Sequence, residues 1–599
     1  MHNHLLIFLL FSLSLACTPD ATQEASERQP NVILIITDDQ GYGDIGAHGN
    51  PWIQTPNLDQ LYAESTRFTD FHVATTCAPT RAGLMTGINC NQVGVWHTII
   101  GRSLLKQDFI TMPEIFQQHG YRTGMFGKWH LGDNYPFRPQ DRGFEESVVH
   151  GGGGVGQTPD YWNNDYFDDT YFHNGEPKKY KGYCTDVWFR EVARFIEENQ
   201  DQPFFCYLST NAPHSPYHVP QNYIEMYADQ PEVPNPNFYG MITNIDENIG
   251  RLEKLLAEKG LRENTILLFM TDNGTSAGAD LSQEQFVEKG FNAGMRGKKG
   301  SPYEGGHRVP LFIRWPGGKV PAAKDVSILS AYTDLLPTLL DLCGMKAPET
   351  ADFHGTSLQP LIMEDSPEWP ERTLITDTQR EENLMKGKAA SVMTERWRLV
   401  FGNELYDMQN DPGQATNVAD QHPEVVRQLQ QDYDKWWQEV SQGSDEYARI
   451  IIGSEAENPV TLTCHDFHPT EPGYPAWNQK MIRRASNIQG FWTLEVAEAG
   501  DYQIELRRWP READAHITGN VPPGEPVSGG DAYPEGKILP IIKAGIRLGG
   551  QEISAPVEDE QAGVTFDVNL AAGPVELTSW YKDAEGHEYG GYYVYITRM

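Results

Sequence analysis

The segment Cys77-Ala78-Pro79-Thr80-Arg81 has the clearest chemical potential in the chain. We expect a reactive cysteine at the N-terminal end of a short helix, with an arginine one turn away. The helix dipole and the guanidinium would both stabilise a thiolate. The free backbone N–H groups of a first helical turn also favour a bound anion. The segment therefore predicts chemistry on an anionic group.

Further clusters of charged and amide side chains lie next to the predicted strands. Four follow a strand and the fifth precedes one: Asp38-Asp39, Gly127-Lys128-Trp129-His130, Asn211-Ala212-Pro213-His214, Asp272-Asn273-Gly274 and Arg296-Gly297-Lys298-Lys299-Gly300. A single Asp-Asn-Gly is typical of a capped turn. Ligands of open α/β sheets, however, bind outside the carboxyl ends of the strands. Because the clusters recur at that edge, they predict one shared site.

These side chains fall into two chemical sets. The first offers hard oxygen donors and contains neither His nor Cys: Asp38, Asp39, Asp272 and Asn273. Such a set suits Ca²⁺ or Mg²⁺ rather than Zn²⁺. The second set is cationic or protonatable: Arg81, Lys128, His130, His214 and Lys299. It suits a charge-bearing oxyanion group.

The elements that must position these residues follow from the hydrophobic pattern. The continuous apolar run Asn31–Thr37 is typical of a strand buried on both faces of a parallel sheet. Further strands are predicted at residues 121–126, 203–209, 265–271 and 308–314, and helices at 186–198 and 239–259. Alternating strands and helices predict an open, doubly wound, mostly parallel α/β sheet.

Two smaller units are predicted after the main sheet. Residues 373–442 have the pattern of a small α+β subdomain that closes with an amphipathic helix at 423–440. From residue 461 to 599 short alternating strands and Gly-Pro turns predict an appended β-sandwich. The main catalytic unit would then span residues 31–372.

Between residues 31 and about 344 the chain resembles the catalytic domain of the type I, formylglycine-dependent sulfatases, which have an alkaline-phosphatase-like fold. The motifs occur in order: D-D-Q-G-Y-G-D at Asp38, C-A-P-T-R at Cys77, G-K-W-H-L-G at Gly127, N-A-P-H at Asn211, T-D-N-G at Thr271, and G-K-K-G with E-G-G-H-R-V-P up to Pro310. Chance does not account for six motifs in this order. The resemblance implies a sulfuric ester hydrolase.

The resemblance also implies the roles of individual residues. Cys77 would be oxidised by a maturation enzyme to formylglycine (3-oxoalanine), a protein-derived cofactor that acts as the nucleophile. One calcium ion would be bound by Asp38, Asp39, Cys77, Asp272 and Asn273. Arg81 and Lys128 would stabilise the aldehyde hydrate, and the sulfate would be held by Lys128, His130, His214 and Lys299. Lys298 fills a place often held by Gly, so the choice of Lys299 depends on its spacing to Gly300.

Several functions remain open at this point. We expect sulfate ester hydrolysis on sulfated carbohydrates, with an aryl sulfate as the other substrate class. The same fold serves phosphate and phosphonate monoester hydrolases. Phosphatases of this superfamily often have Asp-His pairs for two zinc ions, and Asn273 stands where such an enzyme has His. A third hypothesis is a glycan-binding lipoprotein without catalytic activity. The intact set of motifs disfavours this hypothesis.

Residues near the Gly-rich insertion are candidates for substrate contact: His97, His150, Asn163 and Asp165. Substrate-selecting side chains commonly lie on such loops. Gly151-Gly152-Gly153-Gly154 predicts a flexible loop. The aromatic residues Tyr161, Trp162 and Tyr166 would either stack on sugar rings or pack in the core, which is the commoner role.

The appended β domain contains two further candidates. His465-Asp466-Phe467-His468 has metal-ligand residue types, but no other ligand lies near it in the sequence, so a surface turn is the preferred interpretation. Arg507-Arg508-Trp509 would bind carbohydrate or, as we prefer, seal the contact with the catalytic domain.

The net charge and the N-terminal segment give expectations about partners and location. The formal charge of −36 disfavours binding to nucleic acid or to an anionic membrane surface. The apolar run at residues 5–15 predicts a signal peptide over 1–17, with Cys17 as a lipidated residue and 18–30 as a tether. We therefore expect an exported bacterial protein, periplasmic or at the cell surface, held to the membrane by a lipid anchor only; secretion without an anchor is the alternative. The other cysteines are expected to be buried free thiols: Cys90, Cys184, Cys206, Cys343 and Cys464.

Overall fold

The computed structural model describes residues 29–599. The predicted signal peptide, Cys17 and most of the predicted tether lie outside the described residues. Within them, no helix is both long and apolar enough to span a bilayer. Each of the six cysteines in this range is a buried free thiol, as predicted for the five that have no assigned chemistry.

A ten-stranded sheet forms the centre of the larger part of the molecule. In spatial order its strands are Lys324–Val326, Thr66–Phe68, Leu311–Arg314, Thr265–Thr271, Asn31–Thr37, Phe204–Ser209, Arg122–Lys128, Glu146–His150, Thr170–His173 and Glu176–Lys179. The central strands pair in parallel, and the antiparallel pairs lie towards the two edges. The predicted mostly parallel α/β sheet is confirmed.

Helices cover both faces of this sheet. The main ones are Pro56–Glu64, Cys77–Thr86, Met112–Gln118, Cys184–Asn199, Pro236–Glu258 and Leu335–Leu342. On the central strand, Val32, Leu34 and Ile36 join one hydrophobic cluster, and Ile33 and Ile35 join the cluster on the other face. Because both faces are covered, the strand has no polar alternation.

Some predicted elements have different ends in the structure. The last predicted strand begins at Leu311 rather than 308, and it runs antiparallel to its neighbour Thr265–Thr271. The helix predicted from residue 239 begins at Pro236, because the Asn235 side chain accepts a hydrogen bond from the Phe238 N–H and proline suits the first helical turn. The pair Asn235-Pro236, which is typical of a helix start, was present in the sequence.

A small α+β unit follows the main sheet. Its four antiparallel strands are Leu374–Asp377, Ala390–Met393, Trp397–Val400 and Glu404–Asp407, and the helix Pro423–Val440 packs on them. The buried Arg398 joins this unit to the main sheet region: its Nε donates to Glu304 Oε1 at 2.7 Å and its NH2 group contacts Asp70.

The C-terminal region contains two mainly antiparallel sheets of seven and four strands. The long strands are Gly490–Val496, Gly500–Arg507, Ile541–Leu548, Gly563–Leu570, Gly573–Asp583 and Tyr593–Arg598. The seven-stranded sheet includes Ile450–Ile452, which precedes the predicted start at residue 461. The domain boundaries themselves remain a prediction. The hydrophobic core of this region also includes Leu104, Phe137 and Trp162 from the α/β part, so the two parts share packed side chains.

Candidate active site

Two neighbouring strands place acidic residues side by side. Asn31–Thr37 and Thr265–Thr271 pair in parallel with Thr37 opposite Thr271, so Asp38 and Asp272 leave the sheet at the same edge. The Asp39 backbone N–H donates to Asp272 Oδ1 at 3.0 Å. Asp39 has a φ of 70°, an uncommon conformation for a residue with a side chain. The turn therefore holds Asp39 against Asp272.

The helix Cys77–Thr86 directs its first residue at these carboxylates. Cys77 is the first helical residue, and Thr76 before it is extended, so the chain turns sharply at the cysteine. All ten residues of the helix are buried. The Cys77 Sγ and one carboxylate oxygen each of Asp38 and Asp272 lie within 4.8 Å of one another. The predicted convergence of distant segments on residue 77 is thus observed.

Three cationic side chains contact the three acidic residues. Lys128 Nζ donates to Asp38 Oδ2 at 2.7 Å, and Arg81 NH2 donates to Asp272 Oδ2 at 2.7 Å. The side chains of all four are fully buried. Each of these cations neutralises one carboxylate, which offsets part of the cost of burying the charges.

Lys299 provides the third contact. Its Nζ lies 2.5 Å from Asp39 Oδ1, whereas Lys298 Nζ points elsewhere and donates to the backbone oxygen of Ala279 at 3.2 Å. Lys299, as the spacing predicted, is the lysine that enters the site. Burial opposes ionisation of Asp39, but the charges of Lys299 and His214 hold its pKa well below the usual range.

Two observations on the acidic set fit a bound cation. Asp38 Oδ1 and Asn273 Oδ1 are buried oxygens without a hydrogen-bond partner, although buried acceptors normally have one. Burial and the nearby charge of Asp38 raise the pKa of Asp272 to about 7. Hard oxygen donors in this number suit calcium. The residues present therefore fit a calcium ion held by Asp38, Asp39, Asp272 and Asn273 beside residue 77.

His130 is held in one tautomer. Its Nε2 lies 2.7 Å from the Thr98 carbonyl oxygen, so Nε2 carries the proton. Burial and the charge of Lys128 lower the pKa of His130 well below 6.5. Nδ1 is then a buried acceptor without a partner. In this state His130 Nδ1 can accept a proton but cannot donate one. The predicted role of His130 in binding the sulfate through a donated hydrogen bond from Nδ1 is therefore not available to the neutral ring.

His214 lies beside the acidic set. Its Nε2 is 3.7 Å from Asp39 Oδ2, and its side chain is 15% exposed. Burial is the main cause that lowers the pKa of His214 to about 3, and Asp39 opposes the shift. The imidazole is neutral in this state, so it would become a cation only when an anionic group is bound next to it.

The four predicted substrate-contact residues do not form one surface. His97 and His150 are buried, and each has an Nε2 atom without a hydrogen-bond partner. Asn163 is exposed, but its Oδ1 accepts a hydrogen bond from Arg483 of the C-terminal region at 2.6 Å. Asp165 Oδ1 accepts from the Phe167 N–H within a turn. Of the four, His150 lies close enough to Lys128 and Arg81 to interact with their charges. His97 directly precedes Thr98, whose carbonyl oxygen lies 2.7 Å from His130 Nε2.

The Gly-rich segment differs from the prediction. Residues 151–154 are buried and hydrogen-bonded rather than a flexible loop, because the Gly152 N–H donates to Asp133 Oδ1 and the Gly153 N–H donates to Gln157 Oε1. A Cβ atom on Gly153 would lie 2.3 Å from the His130 ring. The glycines allow the backbone to pack directly on a catalytic candidate, so close approach rather than flexibility explains them.

The aromatic residues beside this segment pack inward. Trp162 and Tyr166 are buried, and Tyr161 is partly buried. The Trp162 ring lies edge-on to Trp509, with ring centroids 5.8 Å apart. Trp509 therefore contributes to the contact between the two regions, as predicted. Arg508 instead donates to backbone oxygens inside the C-terminal region, and Arg507 pairs with Glu505.

The prediction of a surface turn at residues 465–468 was wrong. His465, Asp466 and His468 are all buried. His465 Nε2 lies 3.1 Å from Gln157 Oε1, and the His465 ring is 6.4 Å from that of His130, measured between centroids. The sequence analysis named His465 but did not predict its contact with Gln157, because the contact joins residues 308 positions apart. The adjacent His465-Asp466 pair was the one feature of the sequence that pointed to a buried polar contact here.

A second buried group of potential metal ligands is His72, Glu304 and His307. Arg398 donates to Glu304 at 2.7 Å and lies 3.4 Å from His72 Nε2. A bound cation would be repelled by this fixed charge. We therefore interpret the group as an internal ion-pair network.

Two family models match the chain. The model described as Sulfatase matches residues 30–345. The model described as N-sulphoglucosamine sulphohydrolase, C-terminal, matches residues 298–439. Residues after 439 are matched by neither of these models.

Similar proteins include both curated relatives and solved structures. Arylsulfatase A of Homo sapiens is 29% identical over 464 residues, which cover 68% of this chain and 87% of the relative. The crystal structure of Ps i-CgsB in complex with k-i-k-neocarrahexaose has a TM-score of 0.62 at 28% identity, covering 70% of this chain and 95% of that chain. Phosphonate monoester hydrolase of Agrobacterium radiobacter has a TM-score of 0.52 at 22% identity, covering 69% and 96%. This last likeness concerns the fold alone.

Proposed function

This chain belongs to the sulfatase family, and we propose that it hydrolyses sulfate esters of carbohydrates with a formylglycine made from Cys77 and one bound calcium ion. The reaction consumes one water and releases an alcohol and inorganic sulfate. The observation that carries the proposal is the meeting of Cys77 Sγ with Asp38 and Asp272 within 4.8 Å, surrounded by Arg81, Lys128 and Lys299.

The calcium ion and the formylglycine hydrate would supply an activated hydroxyl for attack on sulfur and a second hydroxyl whose deprotonation releases the sulfate. Asp38, Asp39, Asp272 and Asn273 would hold the cation. The two buried oxygens without partners, on Asp38 and Asn273, support this assignment. Arg81, fixed by Asp272 and Ser209, keeps a positive charge beside residue 77.

The remaining cations would bind and polarise the sulfate group. Lys128 and Lys299 lie on two sides of the acidic set and offer charged donors to the sulfate oxygens. Burial opposes the charge on Lys299, but Asp39 outweighs it and raises the pKa of this lysine. Lys299 thus stays protonated at neutral pH. Either Lys299 or a His214 protonated on substrate binding would give a proton to the departing alcohol.

His130 is suited to a different step. Its neutral ring has Nδ1 without a partner, while Nε2–H is held by Thr98. We assign to it the removal of a proton from the hydroxyl that remains on residue 77 after sulfate transfer. This assignment uses the tautomer that the Thr98 carbonyl selects.

The substrate class is the finer part of the proposal. Ps i-CgsB, which is 28% identical, was solved with an oligosaccharide, and this supports a sulfated carbohydrate over a simple aryl sulfate. Phosphate or phosphonate monoesters remain the alternative within the fold. Asn273 in the acidic set disfavours a two-zinc phosphatase site. A glycan-binding protein without activity is disfavoured by the complete set of charged contacts.

Export with a lipid anchor at Cys17 belongs to the proposal as well. It is supported by the apolar run at residues 5–15 and by the Ala16-Cys17 pair. A periplasmic or surface location would bring the enzyme to large sulfated glycans, and the maturation enzyme would be a required partner.

One pair of measurements tests the proposed function. We expect the purified protein from its own host to release sulfate from at least one member of a panel of defined sulfated oligosaccharides, and to release no phosphate from matched phosphate esters. A tryptic mass of the Cys77 peptide should show oxygen in place of sulfur. An unaltered thiol together with no sulfate release would contradict the proposal.

A further inference from the structure

We propose that His465 and Asp466, from the C-terminal β-sheet region, are positioning residues of the active site: as a buried ion pair they hold Gln157 in place, and through the His465 backbone carbonyl they hold the segment 98–100, so that both neighbours of His130 are fixed. The inference rests on the proposed function, because it assigns His130 a part in the reaction. It concerns residues outside the two matched family models, which end at residues 345 and 439.

The hydrogen bonds of Gln157 determine which atom faces His465. The Gly153 N–H is a donor and lies 2.7 Å from Gln157 Oε1, so this position must be the amide oxygen. The same oxygen lies 3.1 Å from His465 Nε2. An amide oxygen only accepts, and therefore His465 Nε2 carries a proton.

The second ring nitrogen of His465 also faces an acceptor. His465 Nδ1 lies 2.7 Å from Asp466 Oδ1. With Nε2 already protonated, a hydrogen bond to a carboxylate places a proton on Nδ1 as well. His465 is then an imidazolium that is 2% exposed, paired with an aspartate that is 3% exposed. Both donors are used, so the ring orientation is determined completely.

Other charged and titratable groups also face His465 from the catalytic region. They are Asp133, His97 and His130. Burial and the charge of Asp466 raise the pKa of Asp133 to about 7. For His465 itself burial opposes the charge, but Asp466 outweighs it and raises the pKa above 6.5. Neutral histidines and a carboxylate around the ring are compatible with one positive charge at His465.

Two connections lead from His465 to His130. On one side, Gln157 holds the Gly153 N–H, and Gly153 packs directly on the His130 ring. On the other side, the His465 carbonyl oxygen accepts a hydrogen bond from the Ile100 N–H at 2.8 Å. The segment that contains Ile100 also contains Thr98, whose carbonyl selects the His130 tautomer. His465 therefore supports both neighbours that orient His130.

The test compares two matched pairs of variants in the full-length enzyme. His465→Gln and Asp466→Asn remove the charges of the proposed pair. His587→Gln and Asp583→Asn do the same for a His-Asp pair of the same region, with a 2.9 Å contact, which has an exposed histidine. We expect His465→Gln to lower kcat by roughly 10–100-fold, since a displacement near 1 Å can cost about 10²-fold. The control pair should leave kcat and KM unchanged.

Nitrogen-15 NMR of selectively labelled histidines gives a readout independent of turnover. His465→Gln identifies the His465 signals, which should be those of a doubly protonated ring at pH 7.5 and should become neutral in Asp466→Asn. The His130 signals, identified with His130→Gln, should move in His465→Gln and not in His587→Gln. The NMR signals report the protonation of His465 and the environment of His130 whether or not the protein hydrolyses sulfate esters. A failure of the proposed function can therefore be distinguished from a failure of this inference.

Two results would overturn the proposal. One is a neutral His465 ring at pH 7.5 in the wild-type protein. The other is a His465→Gln variant that folds, as judged by its circular dichroism, and keeps wild-type kcat, KM and His130 signals.

Discussion

At the scale of single residues, the site balances its charges in pairs. Arg81, Lys128 and Lys299 contact Asp272, Asp38 and Asp39, so three cations face three carboxyl groups. This local balance separates the site from the rest of a chain with a formal charge of −36. The proposed calcium ion would add positive charge to this balanced set, so that an anionic ester would meet a locally positive site.

Replacing Cys77 by serine tests the nucleophile. Serine has one hydroxyl, so a sulfated intermediate on it has no second hydroxyl with which to expel the sulfate. We expect Cys77→Ser to bind substrate with near wild-type affinity and to lose multiple turnovers. Binding is measured by calorimetry and turnover by sulfate release. Repeated turnovers by the unmodified serine variant would disprove the mechanism.

The cation site is tested with two buried aspartates. Asp272→Asn removes a proposed ligand and should weaken calcium binding by at least about tenfold, since even indirect partners of metal ligands change affinity by 10–100-fold. Asp44→Asn is the control: Asp44 is buried beside the Gly41 N–H, and burial raises its pKa to about 7. Calcium titration of chelator-treated protein measures both. Equal affinities in the two variants would exclude Asp272 as a ligand.

At the scale of elements, short parallel strands and close backbone packing bring the site together. Lys128 is the last residue of its strand, which extends past the predicted end at residue 126. His130, two residues later, has a φ of 64°. Backbone conformations of this kind cost energy and are retained where the surrounding structure requires them. The turn 128–130 therefore directs both Lys128 and His130 to the site.

Adjacent glycines allow a direct test of this packing. In Gly153→Ala the new Cβ would lie 2.3 Å from the His130 ring, whereas in Gly154→Ala the closest contact is an ordinary 3.4 Å to Gln157. We expect Gly153→Ala to lower kcat by about tenfold or more, because the ring must shift. Gly154→Ala should show a much smaller loss. Steady-state kinetics of the two variants measures the difference, and equal losses would refute the role of Gly153.

The small α+β unit depends on a buried arginine. Arg398 is 1% exposed and pairs with Glu304, which is fully buried. Arg398→Ala leaves this carboxylate with only the longer, 3.7 Å contact to Arg308, so we expect a loss of about 3 kcal/mol in the free energy of unfolding. Arg396→Ala, which breaks an ion pair with Asp407 from a 45% exposed side chain, should change little. Urea denaturation compares the two, and similar midpoints would contradict the prediction.

At the scale of the whole molecule, the C-terminal region is part of one packed structure with the α/β part. Leu104, Phe137 and Trp162 join its hydrophobic core. Gln479 of this region contacts the Asn163 N–H, and His465 contacts Gln157. The region therefore contributes side chains next to the candidate site, in addition to its own two sheets.

The His465–Asp466 pair predicts a pH dependence of stability. The pKa of His465 is raised in the folded state, so its contribution is fully present below pH 6.5, the value for the unfolded chain, and is lost as the pH rises through the folded pKa. The stability difference between wild type and His465→Gln should therefore shrink above pH 6.5. Urea denaturation of both proteins at several pH values measures this difference in the free energy of unfolding. A difference that grows with pH would be opposite in sign to the prediction.

The sequence by itself determined the α/β class and indicated which residues would form the candidate site. Runs such as Asn31–Thr37 favour burial on both faces of a parallel sheet, and from this the edge at which Asp38 and Asp272 emerge could be predicted. Lys299 was named on the family resemblance and its spacing to Gly300, and the contact with Asp39 distinguishes it from Lys298. These features depend on residues close in sequence and on a general rule of sheet geometry.

Only the tertiary structure decided the contacts between distant segments. Gly153 appeared to belong to a flexible loop and His465 to a surface turn, yet the first packs on His130 and the second contacts Gln157. Neither residue has a local pattern that differs from that of an exposed turn. Their burial depends on how two regions distant in sequence pack together, and that packing energy is spread over many side chains of the shared core.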